Sequence, residues 1–312
     1  MRIGLGGCSG TTHNCRNIEK KLRQGGILEF TTQYDIESWI DRVVNLHHTH
    51  SCDAPRFIKP FHLAILVHYL KRHGANHLSL PEKIESYANT MNLWGALGLA
   101  APKEITRIGG RYHPVEILEN REEVENVANK LIALIGDICT NEATTDALCT
   151  MMRELLDNCY SHADVENGPS GYVCAQVWAG GRKAQIALVD TGIGIRTSLG
   201  LNATYMQRLS SENACEMATE YGVTGKPGKG HSGYGLAVAR KLLEQNGGVL
   251  YVRSDSEAFL VNQGEILASN TKSRLHGTLL VIECDLDAVM NIRDVYDSFP
   301  LPDGMTDDDF DF

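Results

Sequence analysis

The chain has 312 residues, with 29 Lys and Arg against 39 Asp and Glu, a formal charge of −10, and 43% hydrophobic residues. That composition excludes most disordered classes and supplies apolar chain for one large or two ordinary domains. An acidic chain without a dense Lys/Arg block repels a phosphate backbone, so duplex nucleic acid is disfavoured as a partner. The longest weakly polar stretches, Leu63–Leu70 and Leu93–Pro102, are too short to span a bilayer, and the N-terminus MRIGLGGCSG has no signal-peptide core. The expectation is no membrane segment and a cytoplasmic location. Nine Cys with no small-scaffold pattern, among them Cys149, Cys159, Cys174 and Cys284 in apolar periodic segments, point to reduced and mostly buried thiols.

In chain order, residues 1–26 carry no assignable pattern, and Gly4-Leu5-Gly6 lacks the rest of a dinucleotide fingerprint. Residues 27–118 read as a small α/β unit. Short apolar runs alternate with helical ones in a β-α-β-α order: Ile36–Leu46 leads into a strand-like Val43-Val44-Asn45-Leu46, Phe61–Lys71 carries helical spacing, Asn76–Leu80 suits a strand, and Ile84–Leu99 is helical again. Residues 119–290 read as a second domain. Two helical patterns, Arg121–Ile138 and Asn141–Ala163, precede strand candidates Tyr172–Trp178 and Ala184–Val189, joined at Gly180-Gly181. After a long polar loop, a helix from Gly235 stops at Asn246-Gly247-Gly248, and strands Val249–Val252 and Thr278–Cys284 follow. Helices with a mostly antiparallel sheet predict an α+β two-layer sandwich. Residues 291–312 read as an acidic tail, with five Asp and no Lys or Arg between Asp303 and Phe312.

The chemistry lies in the second half. Glu154, Asn158 and His162 recur every four residues and form one polar stripe, which is either a solvated helix edge or the wall of a cleft. In a cleft, the carboxylate orients a water while the amide oxygen helps bind a hard cation such as Mg²⁺. The strand ending at Val189 runs into Asp190-Thr191-Gly192-Ile193-Gly194. There Asp accepts a bond from an exocyclic amine and the glycines let the backbone approach a flat ring, although the same string also suits an ordinary turn. Gly230-His231-Ser232-Gly233-Tyr234-Gly235-Leu236 opens a helix, whose bare amides and positive dipole end favour phosphate. Lys226 and Lys229 precede it. Gly225 to Gly230 has Walker spacing, but His231 stands where the Lys is required.

Taken in order, these boxes, followed by Gly277-Thr278 entering the last strand, resemble those of the GHKL (Bergerat-fold) ATPases. That superfamily includes gyrase B, Hsp90-type chaperones, mismatch-repair ATPases, histidine kinases and anti-sigma serine kinases, and the resemblance covers about residues 120 to 285. It implies ATP and Mg²⁺ as ligands, Glu154 as general base and Asn158 as the Mg²⁺ ligand, with His162 a weaker match near the phosphates. It further implies that Asp190 holds the adenine amino group with Thr278, that Gly192 and Gly194 shape that pocket, that about Arg196 to Lys229 form the lid, and that Gly230, Gly233 and Gly235 face the phosphates. Glu154 departs from ordinary histidine kinases, and no phosphoacceptor-His helix precedes the domain, so histidine autophosphorylation is disfavoured.

The order Arg42–Leu46, Arg56–Phe61, helix, strand and Tyr87–Leu99 resembles a STAS-type domain, with Lys59-Pro60-Phe61-His62 where antagonists of that kind carry a phosphorylatable Ser. The resemblance implies a docking module without that phosphoswitch. His47, His48, His50 and Cys52, like His13 and Cys15, fit no paired zinc spacing. Phe310 and Phe312 among Asp residues offer an anchor for a basic, apolar groove on a protein partner, the alternative being a solvated tail. The expectation is a Mg²⁺-dependent ATP-binding regulatory protein, a slow ATPase whose lid reports nucleotide state to a protein partner or to a second copy in a homo-oligomer. A protein-serine kinase or anti-sigma-like regulator, and a non-hydrolysing ATP sensor in a stress or antiviral assembly, stand as alternatives.

Overall fold

The computed structural model describes residues 1–6, 29–103, 111–162, 169–226 and 233–300. Lys229, Gly230, His231, Ser232, His13, Cys15 and the tail from Asp303 to Phe312 lie outside the described residues, as does the His162 side chain.

The N-terminal half is built on a parallel sheet of order β2-β1-β3, from β1 (Arg2–Gly6), β2 (Ser51–Asp53) and β3 (His77–Ser79). Sequence patterning leaves β1 unassigned, because five residues rich in glycine give too short a run. The expected strand at 43–46 is absent. Helix α1 (Gln33–Val43) starts at a Thr32/Asp35 capping box, and α2 (Leu46–Thr49) follows. Val43 and Leu46 are both fully buried, a spacing of three that suits a helical face and not a strand. Helix α3 (Pro60–Arg72) is buried from Pro60 through Leu70. Such all-round burial marks a helix packed on every side. The predicted helix over 84–99 breaks into α4 (Glu82–Thr90) and α5 (Leu93–Leu97) where Asn92 takes φ +63°. The described strands and helices do not show the STAS-like arrangement.

The second half forms a five-stranded antiparallel sheet of order β4-β5-β6-β8-β7: β4 (Tyr112–Leu118), β5 (Gly171–Trp178), β6 (Lys183–Asp190), β7 (Val249–Asn262) and β8 (Glu265–Asp285). Strands β7 and β8 far exceed the two short runs expected, because Gln263-Gly264, both at positive φ, turn the chain between them into one long hairpin. Along β5, Val173, Ala175 and Val177 face one core with α6 (Val124–Gly136), α7 (Glu142–His162) and α11 (Gly235–Asn246). Tyr172 and Cys174 face a second core with α1, α3 and α5. The α+β sandwich is present, and the N-terminal helices cover the other face of its sheet.

Polar side chains pin that covering layer. Glu283, 3% exposed, accepts from the Thr31 amide at 2.6 Å, from the Thr31 hydroxyl, from Gln185 and from the Lys59 ammonium at 3.3 Å. Gln185 Oε1 in turn accepts from the Phe61 amide at 3.1 Å. Fully buried Arg253 donates to Glu37 of α1 at 2.9 Å, and Tyr251 also bonds Glu37. Cys139, Cys159, Cys174, Cys215 and Cys284 are free and buried, while Cys52 and Cys149 are half-buried. No helix among the described residues is long and apolar enough to cross a membrane.

Candidate functional site

The site forms where the face of the sheet bearing Asp190 meets α7 and the start of α11. Asn141 Oδ1 accepts the Thr144 amide at 2.9 Å and so starts α7. Leu148, Met151, Met152, Leu155, Leu156 and Cys159 of that helix are buried or nearly so. This burial leaves Glu154 and Asn158, one turn apart, on the edge toward α11. A Cβ added to Gly235, the first residue of α11, would lie 2.9 Å from Asn158 Nδ2 and 3.2 Å from Glu154 Oε2. The unpaired amides of the helix start and the polar stripe are therefore immediate neighbours, and any larger residue at 235 would push them apart.

Asp190 ends β6 on that same face, 8% exposed. Its Oδ1 accepts the Gly192 amide at 2.9 Å and the Thr278 amide at 3.0 Å. Burial pushes its pKa up to about 6 although those bonds oppose the shift. Gly277, at φ +76°, lets β8 pass so close that an added Cβ would stand 2.2 Å from the Asp190 carbonyl oxygen. Buried Ser254 fastens the neighbouring chain: its hydroxyl donates to Gly277 O at 2.8 Å and accepts the Ile195 amide at 2.9 Å.

Glu154, Asn158, Asp190, Gly194, Gly233, Tyr234, Gly235, Leu236 and Thr278 share one cavity of about 370 Å³. Its apolar wall comes from Leu155, Cys159, Leu188 and Leu280. Such a floor with a few convergent polar groups suits a nucleotide-sized ligand. Loss of hydration, and then the charge of Asp157, raise the pKa of Glu154 above the ordinary carboxylate value, which makes it a better proton acceptor. Among the described residues no group of three His, Cys, Asp or Glu is placed to hold a metal by itself. A hard cation here would rest on the Asn158 amide oxygen together with oxygens brought by the ligand.

Other expected site residues fall elsewhere. The Lys226 ammonium is bound to the Ser161 carbonyl at the end of α7, and Gly192 uses its amide on Asp190 without lining the cavity. Much of the expected lid is fixed. Leu199 of α8 (Ile195–Gly200), Leu209 of α9 (Met206–Leu209), and Ala214, Cys215 and Met217 of α10 (Ala214–Met217) join the core. Arg196 is clamped by Glu257 at 2.6 Å and by the Leu209 and Glu212 carbonyls. The apolar residues of that loop sit too irregularly for periodicity to have shown this. Sequence reading also missed Ser254 and the mouth pairs Arg121–Asp157 at 2.7 and 2.8 Å and Arg153–Glu125 at 2.6 Å. Asp157 was within reach of it, since it adjoins Asn158 in Glu-Leu-Leu-Asp-Asn.

Residues 143–286 match the family described as histidine kinase-, DNA gyrase B- and HSP90-like ATPase. Among solved structures, the histidine kinase domain from the Erythrobacter litoralis EL346 blue-light activated histidine kinase is similar at 12% identity, over 88% of this chain and 94% of that one, with a TM-score of 0.26. No curated protein matches.

Proposed function

Since residues 143–286 are a GHKL-type ATPase domain, of a family that binds ATP and usually Mg²⁺, we propose that this chain binds Mg²⁺-ATP in the cavity beneath α7 and hydrolyses it slowly. The observation that carries the reading is the convergence of Glu154, Asn158, Asp190, Thr278 and the start of α11 on one cavity. In it, Asp190 accepts from the adenine amino group with Thr278 beside it, and the amides at the start of α11 receive the phosphates. The Asn158 amide oxygen holds the metal, which supplies charge neutralisation on the phosphates. Glu154 accepts the proton of the attacking water, and its raised pKa suits that task. Residues between α10 and α11 pass the nucleotide state to a partner or second copy.

Phosphate release by wild type and Glu154→Ala is the direct test. A fall on the order of a hundredfold or more supports the base role, and equal rates refute it. Adding candidate protein substrates with γ-labelled ATP separates hydrolysis from transfer to a protein hydroxyl. Intact ATP retained without turnover, with or without a partner, would instead mark a sensor.

A further inference from the structure

The matched family segment ends at residue 286, yet the chain beyond it returns to the nucleotide cavity. Asn246 Nδ2 first pins this segment, donating to the Asp285 carbonyl at 2.8 Å and the Ala288 carbonyl at 3.2 Å. The Met290 amide then bonds Thr144 Oγ1 at 3.0 Å, at the start of α7, and the Asn291 amide bonds Gln245 Oε1 at 3.1 Å, at the end of α11. Helix α12 (Ile292–Asp297) packs on both α7 and α11 with Val295 buried, and the segment reaches Phe299. The Phe299 ring stacks on Tyr221 at 4.5 Å, and Tyr221 stacks nearly parallel on Tyr234 at 4.4 Å and 7°.

Tyr221 and Tyr234 stand on opposite sides of residues 227–232, and Tyr234 both lines the cavity and leads directly into α11. The backbones on those two sides touch as well. A Cβ added to Gly233, at φ +73°, would lie 2.8 Å from the Gly222 carbonyl carbon and 2.9 Å from Val223 N. Two rings flanking residues 227–232 and a third from the distant C-terminal segment thus clasp the entrance to α11, on a strap anchored by backbone bonds to the two helices that carry Glu154, Asn158 and Gly235.

We propose that Phe299 and Tyr221 are positioning residues for nucleotide binding: through the stack they hold Tyr234, and with it the first amides of α11, where phosphates are received. The role rests on the cavity being the ATP site. Stacked aromatic pairs contribute beyond the area they bury, enough for roughly a five- to tenfold effect on an equilibrium. Because the strap is already ordered, the cost of arranging the helix start is met before ligand arrives.

The test compares wild type with Phe299→Ala, Phe299→Tyr and Val295→Ala. Val295→Ala removes buried packing from the same strap but leaves the rings in place. Hydrogen exchange on nucleotide-free protein and ATP affinity are read for each. Phe299→Ala should speed exchange in residues 219–226 and 233–236 above the rest of the sheet domain and weaken ATP roughly five- to tenfold. Phe299→Tyr should keep both near wild type, and Val295→Ala should lower the melting temperature without the local exchange change or the loss of affinity. Phe299→Ala with unchanged local exchange and affinity, or with the same uniform loosening as Val295→Ala, overturns the role. Wild type that binds no ATP overturns the cavity assignment itself, whereas wild-type binding that Phe299→Ala leaves intact overturns only the strap.

Discussion

Beneath the N-terminal helices, Glu283 accepts from Thr31, Gln185 and Lys59, and Arg253 is taken up by Glu37 and two backbone carbonyls, so those buried polar groups are matched inside the protein. On the opposite face of the same sheet, Glu154, Asn158, Asp190 and Thr278 border open volume. On the cavity face Asp190 and Thr278 are buried while Glu154 is exposed and Asn158 half-buried, so polar capacity there stays open to a ligand, whereas beneath the helices the buried groups are matched and fix structure. The contrast separates a layer that is held together from a face built to receive something. In that layer α3 lies against β5 and β6, and its neighbours share their core.

Substitutions on the two faces should therefore behave oppositely, and they rank by stability effect. Glu283→Ala leaves the Lys59 ammonium and the Thr31 and Gln185 donors without their acceptor. It should cost about 3–5 kcal/mol in urea melts while the surviving folded protein binds ATP as wild type does. Asp190→Asn should act the other way. Its carboxyl is raised from 3.8 to about 6 in the fold, so the folded state prefers the protonated form and wild-type stability falls as pH rises through that window. The amide removes this penalty, a gain of up to about 3 kcal/mol at pH 7 that vanishes below pH 3.8. ATP affinity should drop roughly ten- to a hundredfold in the same variant. A variant neither stabilised nor weakened in binding would erase the distinction between the faces.

Gly235→Ala should change stability by no more than about 1 kcal/mol, since alanine favours the helix while its Cβ displaces Asn158. Mg²⁺-dependent phosphate release should nevertheless fall at least about tenfold. Glu154→Gln, at an exposed position, should leave the urea midpoint within about 0.5 kcal/mol of wild type. Phosphate release should collapse, and the acid limb of the wild-type rate, which disappears on protonating Glu154, should lie above the ordinary value of 4.5 because the fold raises that pKa. An acid limb at or below 4.5 would deny Glu154 the role of base.

Elements with strong internal rhythm were legible in the sequence. Apolar spacing from Leu148 to Cys159 located α7 and its polar edge, Gly180-Gly181 located the β5–β6 hairpin, and Asn246-Gly247 located the end of α11. What was illegible depended on partners. β1 and β4 are short strands whose bonds go to residues far along the chain, and Pro114 with a bulge between His113 and Glu116 blurs the alternation of β4. Val43-Val44-Asn45-Leu46 has the composition of a strand, yet with Val43 and Leu46 both buried it forms the turn that joins α1 to α2. Ser254 and Phe299 carry no local signature, because each matters only through the distant residue it touches.

By itself, the sequence determined the set of chemical groups and their local presentation: a carboxylate and an amide one turn apart, an Asp at a strand end, and a glycine-opened helix. Periodicity and turn chemistry act between near neighbours, so a linear reading captures them. Tertiary structure decided that these three pieces meet around one cavity, that the opposite face of the sheet is closed by the chain's own N-terminal half, and that the C-terminal strap returns to the entrance of α11. Those outcomes follow from burying both faces of one sheet, which rests on contacts between residues far apart in the chain and leaves no trace in local spacing.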